Sequence, residues 1–165
     1  MGDQMRLTGA VSIIGPLIVY AGIELFDKYR KKLKLQFASE IIWKAELTLY
    51  TCVIIYMTII RKLPLGTDHQ LNLQLFWSYG RWKAADIRWQ VYMNVFLFIP
   101  FGFFLRGKAI KTLLIAFVLA SAIEVAQYIF CLGLCELDDI FHNTLGAMIG
   151  CGYYRVFDVF WKRTK

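Results

Sequence analysis

Charge is scarce in this chain. Asp, Glu, Lys and Arg make up 19% of the 165 residues, where a soluble domain carries about 25%. Hydrophobic residues take 58% and aromatics 16%, with a mean hydropathy of +0.50, against about 45–50% apolar residues in soluble domains. The apolar residues run in long blocks rather than amphipathic stripes, which excludes intrinsic disorder and coiled coil. Cysteines are few. Cys52, Cys131, Cys135 and Cys151 lie within or beside apolar segments, where a free thiol behaves as a small hydrophobe and no disulfide framework is implied. There is no internal repeat, no low-complexity tract, no Gly-x-Ser-x-Gly elbow, no P-loop and no His-Glu-x-x-His, so the familiar catalytic signatures are missing. The N-terminus, with Asp3, Arg6 and Glu24, does not read as a cleavable signal.

What is present is a compact polytopic membrane protein. The net charge of +7 does not imply nucleic acid, because the cations gather at the ends of apolar runs, where the bilayer explains them. About 20 mostly apolar residues cross a hydrocarbon core of about 30 Å. Five stretches meet that need: residues 7–26, 41–60, 89–105, 112–134 and 140–161. The expected fold is therefore an all-α bundle of five transmembrane helices in a multi-pass membrane protein. Residues 1–40 form a first helix with a basic loop, and residues 41–165 form the membrane domain proper.

The loop after the first span holds Lys28, Arg30, Lys31, Lys32 and Lys34, and further cations follow the third and fifth spans. By the positive-inside rule these segments face the cytoplasm, which places the N-terminus outside and the C-terminus inside. Residues 61–88 then lie outside. Leu71, Leu73 and Leu75 alternate there with Asn72 and Gln74, and Phe76, Trp77, Tyr79, Trp82 and Trp89 follow among Arg81, Lys83 and Arg88. Aromatics mixed with cations describe an interfacial segment, serving either as a passive belt or as a lid over a cavity.

Ionisable residues inside a bilayer need a reason. Glu24, Glu46 and Asp158 lie near span ends, where snorkelling or i,i+4 pairing accounts for them. Glu124 is different, lying ten residues from Leu134 at the end of its expected span, which is about 15 Å and places it near the midplane. Ser121, Glu124, Gln127 or Tyr128, and Cys131 share one helix face, as do Asp139, Asn143, Gly146 and Gly150. Gly146 and Gly150 form a GxxxG pattern that permits close helix approach. Pro100, with Phe101 and Gly102, is expected to kink the third span and open room for a cavity beside Asn94. Cys131, Cys135 and His142 fall close enough to consider zinc, but they project from different faces, and neither metal nor cofactor is expected.

The order of three motifs resembles the VanZ-like family: Asn94-Val-Phe-Leu-Phe-Ile-Pro100-Phe101-Gly102, then Ser121-Ala-Ile-Glu124-Val-Ala-Gln127, then Asp138-Asp139-Ile-Phe-His-Asn143 running on to Gly146 and Gly150. The resemblance covers about residues 71–152. Where the family usually has an aspartate three residues before Asp139 this chain has Glu136, and an arginine often found shortly before it is absent. The resemblance implies residence in a bacterial cell envelope and low-level protection against teicoplanin-type lipoglycopeptides. Three readings stay open. One is an outward-facing pocket of Asn94, Ser121, Glu124, Gln127, Asp138, Asp139 and Asn143 that binds a lipidated antibiotic or a lipid-linked cell-wall precursor. Another is an enzyme acting on a polyprenyl or phospholipid headgroup, with Glu124, Glu136 and Asp139 as its catalytic candidates. The third is an assembly module that forms homo-oligomers through GxxxG.

Overall fold

The computed structural model describes residues 37–62, 66–106 and 108–163. The first expected span, residues 7–26, and the basic loop at 28–34 lie outside the described residues. The chain is mostly helical. Its elements run α1 (Phe37–Thr58), a 3-10 turn (Ile60–Lys62), β1 (Gln70–Asn72), α2 (Trp77–Gly80), α3 (Ala85–Phe104), α4 (Ala109–Ile129), β2 (Leu134–Glu136) and α5 (Leu137–Arg163). Among the described residues, two helices are long and apolar enough to cross a membrane, Ile41–Thr58 within α1 and Ala109–Ile129. Length and composition there support two of the five expected crossings. Helices α3 and α5 reach 20 and 27 residues, and α5 has the most polar sequence of the long helices.

The four long helices alternate in direction, and hydrogen bonds between their ends fix this. Near the start of α1, Trp43 donates its indole N–H to the Phe104 carbonyl at the end of α3 (2.6 Å), and the Arg106 guanidinium lies 4.2 Å over the Trp43 ring. Midway, the Tyr50 hydroxyl donates to the Leu97 carbonyl (3.0 Å). At the end of α1, the Thr58 hydroxyl donates back to Ile54, while the Thr58 carbonyl accepts from Gln127 Nε2 of α4 (3.1 Å). A helix end leaves its last carbonyls without internal donors, so Gln127 satisfies one of them.

The core joins Ile54 of α1, Phe98 and Phe101 of α3, Ala116, Ala120 and Ile123 of α4, and Ala147 of α5. Small residues set the spacing of α3 and α5. A Cβ built on Gly146 would lie 2.2 Å from the Val95 carbonyl oxygen, and one on Gly150 would lie 1.9 Å from that of Ile99. From the other side, a Cβ on Gly102 would lie 1.9 Å from the Ala147 oxygen. The GxxxG face is thus filled by α3 of the same chain. Helix α3 also runs unbroken through Pro100, which is buried in it.

Two boundaries differ from the sequence expectation. The fourth span does not reach Leu134. Its helix ends at Ile129, Cys131 takes a left-handed conformation (φ 50°), Gly133 has φ 145°, and residues Leu134–Glu136 form β2. This strand pairs in parallel with β1, in the register Gln70 with Leu134, Leu71 with Cys135 and Asn72 with Glu136. Glu124 is therefore five residues from the end of its helix, about 7.5 Å, in the outer part of α4 rather than at its midpoint. The interfacial segment likewise contains a strand and a short helix, which an all-α expectation did not include.

Candidate functional site

A cavity of about 770 Å³ opens where α3, α4, α5 and the two strands meet. Helix α3 contributes Ile87, Trp89, Gln90, Met93, Asn94 and Leu97 to its lining, α4 gives Glu124 and Gln127, and α5 gives Asp139 and Asn143. Met57 and Thr58 of α1, Lys62, Trp77 of α2, and Leu134 and Glu136 of β2 complete the wall. Lys62 is exposed, so the cavity reaches the surface beside it.

Local geometry places the three carboxylates. On α5, Asp139 and Asn143 are four residues apart and share a face. Glu124 accepts the backbone N–H of Glu136 (2.9 Å), which ties α4 to β2. Gln90 donates through Nε2 to Glu136 Oε2 and lies 3.3 Å from Asp139 Oδ2. One amide thus bridges two carboxylates and holds them close together. Burial and then the neighbouring Asp139 push the Glu136 carboxyl up to about 7, against the hydrogen bonds from Gln90 and Trp77. A carboxyl at that value exchanges protons near neutral pH.

Trp77 and Asn94 hydrogen-bond to the Glu136 and Asp139 carboxyls, whereas Gln127 Oε1 and Asn143 Oδ1 are buried without a hydrogen-bonding partner among the described residues. A buried, unsatisfied polar group costs about 1–3 kcal/mol. Two such oxygens in a single cavity point to polar contents.

The sequence-named residues divide here. Asn94, Glu124, Gln127, Asp139 and Asn143 line the cavity together, joined by the catalytic candidate Glu136. Ser121 and Asp138 do not line it. The Asp138 carboxylate is turned under the aromatic segment, where it accepts from the Phe76 N–H, the Ser78 N–H (3.0 Å) and the Ser78 hydroxyl (2.6 Å). Phe76 adopts a left-handed conformation there (φ 63°) and packs edge-on against Phe141, while the Tyr79 hydroxyl meets His142 Nε2 at 3.0 Å. The segment is thus pinned to the start of α5, and its Trp77 forms part of the cavity wall. Pro100, Phe101 and Gly102 lie beyond the cavity, toward the opposite end of α3. The cavity is lined by the part of α3 that precedes Pro100, together with Leu134 and Glu136 of β2. Cys131 lies beside His69 (Sγ to Nδ1, 3.3 Å), whereas Cys135 is buried in β2. Among the described residues no three His, Cys, Asp or Glu gather as metal ligands.

Sequence reasoning missed Gln90 and Lys62, whereas Trp77 belongs to the aromatic segment expected as a belt or lid. Gln90 precedes Asn94 by one helical turn, so the i,i+4 spacing carried the signal. Lys62 carried none, because only the fold of the connection brings it to the carboxylates.

Residues 47–158 match the VanZ/LLP1 family. The chain belongs to the VanZ/LLP1 family. It is also similar to Protein VanZ of Enterococcus faecium, at 27% identity over 127 residues that cover 70% of this chain and 75% of that protein. No solved structure matches. The stretch matching VanZ/LLP1 holds every residue of the cavity wall, from Met57 to Asn143. Family membership and the two apolar helices fit a membrane protein.

Proposed function

We propose that this VanZ-family chain lowers the susceptibility of a bacterium to teicoplanin-type lipoglycopeptides, and that it does so by binding a lipid-linked or lipidated ligand in the cavity. In this reading the membrane domain spans the bilayer with α1, α3, α4 and α5, preceded by a further span at residues 7–26. The cavity faces the outer leaflet, where such antibiotics and the lipid-linked cell-wall precursor meet. One observation carries the reading: polar residues from three helices converge on a single cavity in which two buried amide oxygens, of Gln127 and Asn143, lack partners. A packing network inside a membrane bundle satisfies its own polar groups, whereas a binding site leaves them for the ligand. Met57, Ile87, Met93, Leu97 and Leu134 give the same cavity an apolar wall suited to a lipid chain.

The test is a susceptibility profile against teicoplanin and vancomycin in an expressing strain. Glu124→Ala and Asp139→Ala should return teicoplanin susceptibility to that of the empty strain while the protein remains inserted at wild-type level. Full protection by both variants at normal expression would remove the cavity from the function.

A further inference from the structure

The unpartnered atoms in the cavity have a chemical sense, and it is mostly that of acceptors. Gln127 is 3% exposed and donates its amide to the Thr58 carbonyl, which fixes the side chain so that Oε1 is the free atom. Asn143, 2% exposed, leaves Oδ1 free. The donors that face the carboxylates, the Gln90 and Asn94 amides and the Trp77 indole, are already committed to them. Charge points the same way. Glu124, Glu136 and Asp139 line the cavity against Lys62 as its one basic side chain.

We propose that the cavity takes a ligand whose polar part is an ammonium group carried on an apolar chain, and that it discriminates against phosphate headgroups. The proposal rests on the reading of the cavity as the ligand site and names the class of ligand it selects. An ammonium brings three N–H donors and no acceptor, which complements free acceptor oxygens beside carboxylates. A phosphate brings only acceptors and negative charge, so it would leave Gln127 Oε1 and Asn143 Oδ1 unsatisfied and face like charge. The apolar wall takes the chain.

Isothermal titration calorimetry on the full chain in maltoside micelles tests this with three probes of equal chain length: hexylammonium, hexyl phosphate and hexyl glucoside, each corrected by titration into empty micelles. Hexylammonium should bind at least tenfold more tightly than either other probe. Glu124→Gln and Asp139→Asn should each weaken it about fivefold or more. Lys62→Ala, at an exposed position, should tighten it at low salt, and that variant keeps the test open if the buried variants fail to fold. Preferred binding of hexyl phosphate, equal binding of the glucoside, or weaker ammonium binding by Lys62→Ala would overturn the ammonium selection while leaving the cavity a ligand site. Heats equal to those of empty micelles for all three probes would overturn both the selection and the cavity reading.

Discussion

Two adjacent aspartates do different work because neighbouring helix positions point about 100° apart. Asp139 faces the cavity, whereas Asp138 holds the aromatic segment with three hydrogen bonds. Asp138→Ala leaves buried donors at Ser78 without an acceptor, and should destabilise the protein by about 3 kcal/mol or more, since bonds to charged groups are worth about 1.5–3 kcal/mol each. A lower melting temperature in detergent, together with exposure of Trp77 to a soluble quencher, would report it. An unchanged Tm would refute it. Glu136 supplies a pH dependence. Its carboxyl stands at about 7 in the fold against an ordinary 4.5, so between those values the folded state holds a proton that the unfolded state has released. Stability is then fully present below about pH 4.5 and declines as pH rises to about 7. Glu136→Gln, which cannot ionise, should flatten that part of the Tm-against-pH curve, and an unaltered slope would assign it to other groups. At this scale much was legible in the sequence. A carboxylate inside an apolar run singled out Glu124, although it stands nearer its helix end than expected, and the spacing of four joined Asp139 to Asn143. The role of Asp138 was not legible, because its partners lie sixty or more positions earlier and only the fold brings them near.

At the scale of elements, the long helices were readable because apolar runs of that length have few other uses, but their ends were not. Helix α4 stops at Ile129, although Phe130, Leu132 and Leu134 continue the apolar run. The backbone turns at Cys131 and Gly133 and β2 closes onto β1. Hydropathy cannot distinguish an apolar helix from an apolar strand that follows it directly. The alternation of Leu71, Asn72, Leu73 and Gln74 was a strand signal of period two, and the interfacial aromatics around it suggested a surface segment instead. The glycines of α5 were the clearer signal, and the structure gives them a partner in α3. Gly146→Leu or Gly150→Leu must displace backbone at 2.2 and 1.9 Å, and each should abolish the folded state or lower Tm sharply. A control lies on the same helix. Gly152 has nothing within 4 Å of a built Cβ, so Gly152→Ala should be neutral or stabilise by about 0.5–1 kcal/mol through helix propensity. A Gly150→Leu protein that melts with the wild type would show that α3 and α5 do not approach as described.

At the scale of the whole molecule, the ends of the bundle differ in kind. One gathers Trp43, Arg106, Lys108 and the last turns of α5; the other holds the cavity, the strand pair and the aromatic segment. The positive-inside rule counts Lys and Arg rather than net charge, and Arg61, Lys62, Arg81, Lys83 and Arg88 at the cavity end equal in number Lys44, Arg106, Lys108, Lys111 and Arg155 at the other. Chain connectivity breaks the balance. Lys162 and Arg163 close α5 and add two cations to the Trp43 end. The acids Glu136, Asp138 and Asp139 lie at the cavity end and do not weigh in the rule. The Trp43 end is therefore expected in the cytoplasm and the cavity outside. Single cysteines at Lys83 and Lys108, both exposed, test this in a background where Cys52 and Cys131 are replaced by serine. A membrane-impermeant maleimide should label Lys83→Cys on intact cells and Lys108→Cys only after permeabilisation. The reverse pattern would turn the cavity toward the cytoplasm, away from any antibiotic outside the cell, and the proposed protection would lose its physical basis even if the cavity bound every ammonium probe offered to it.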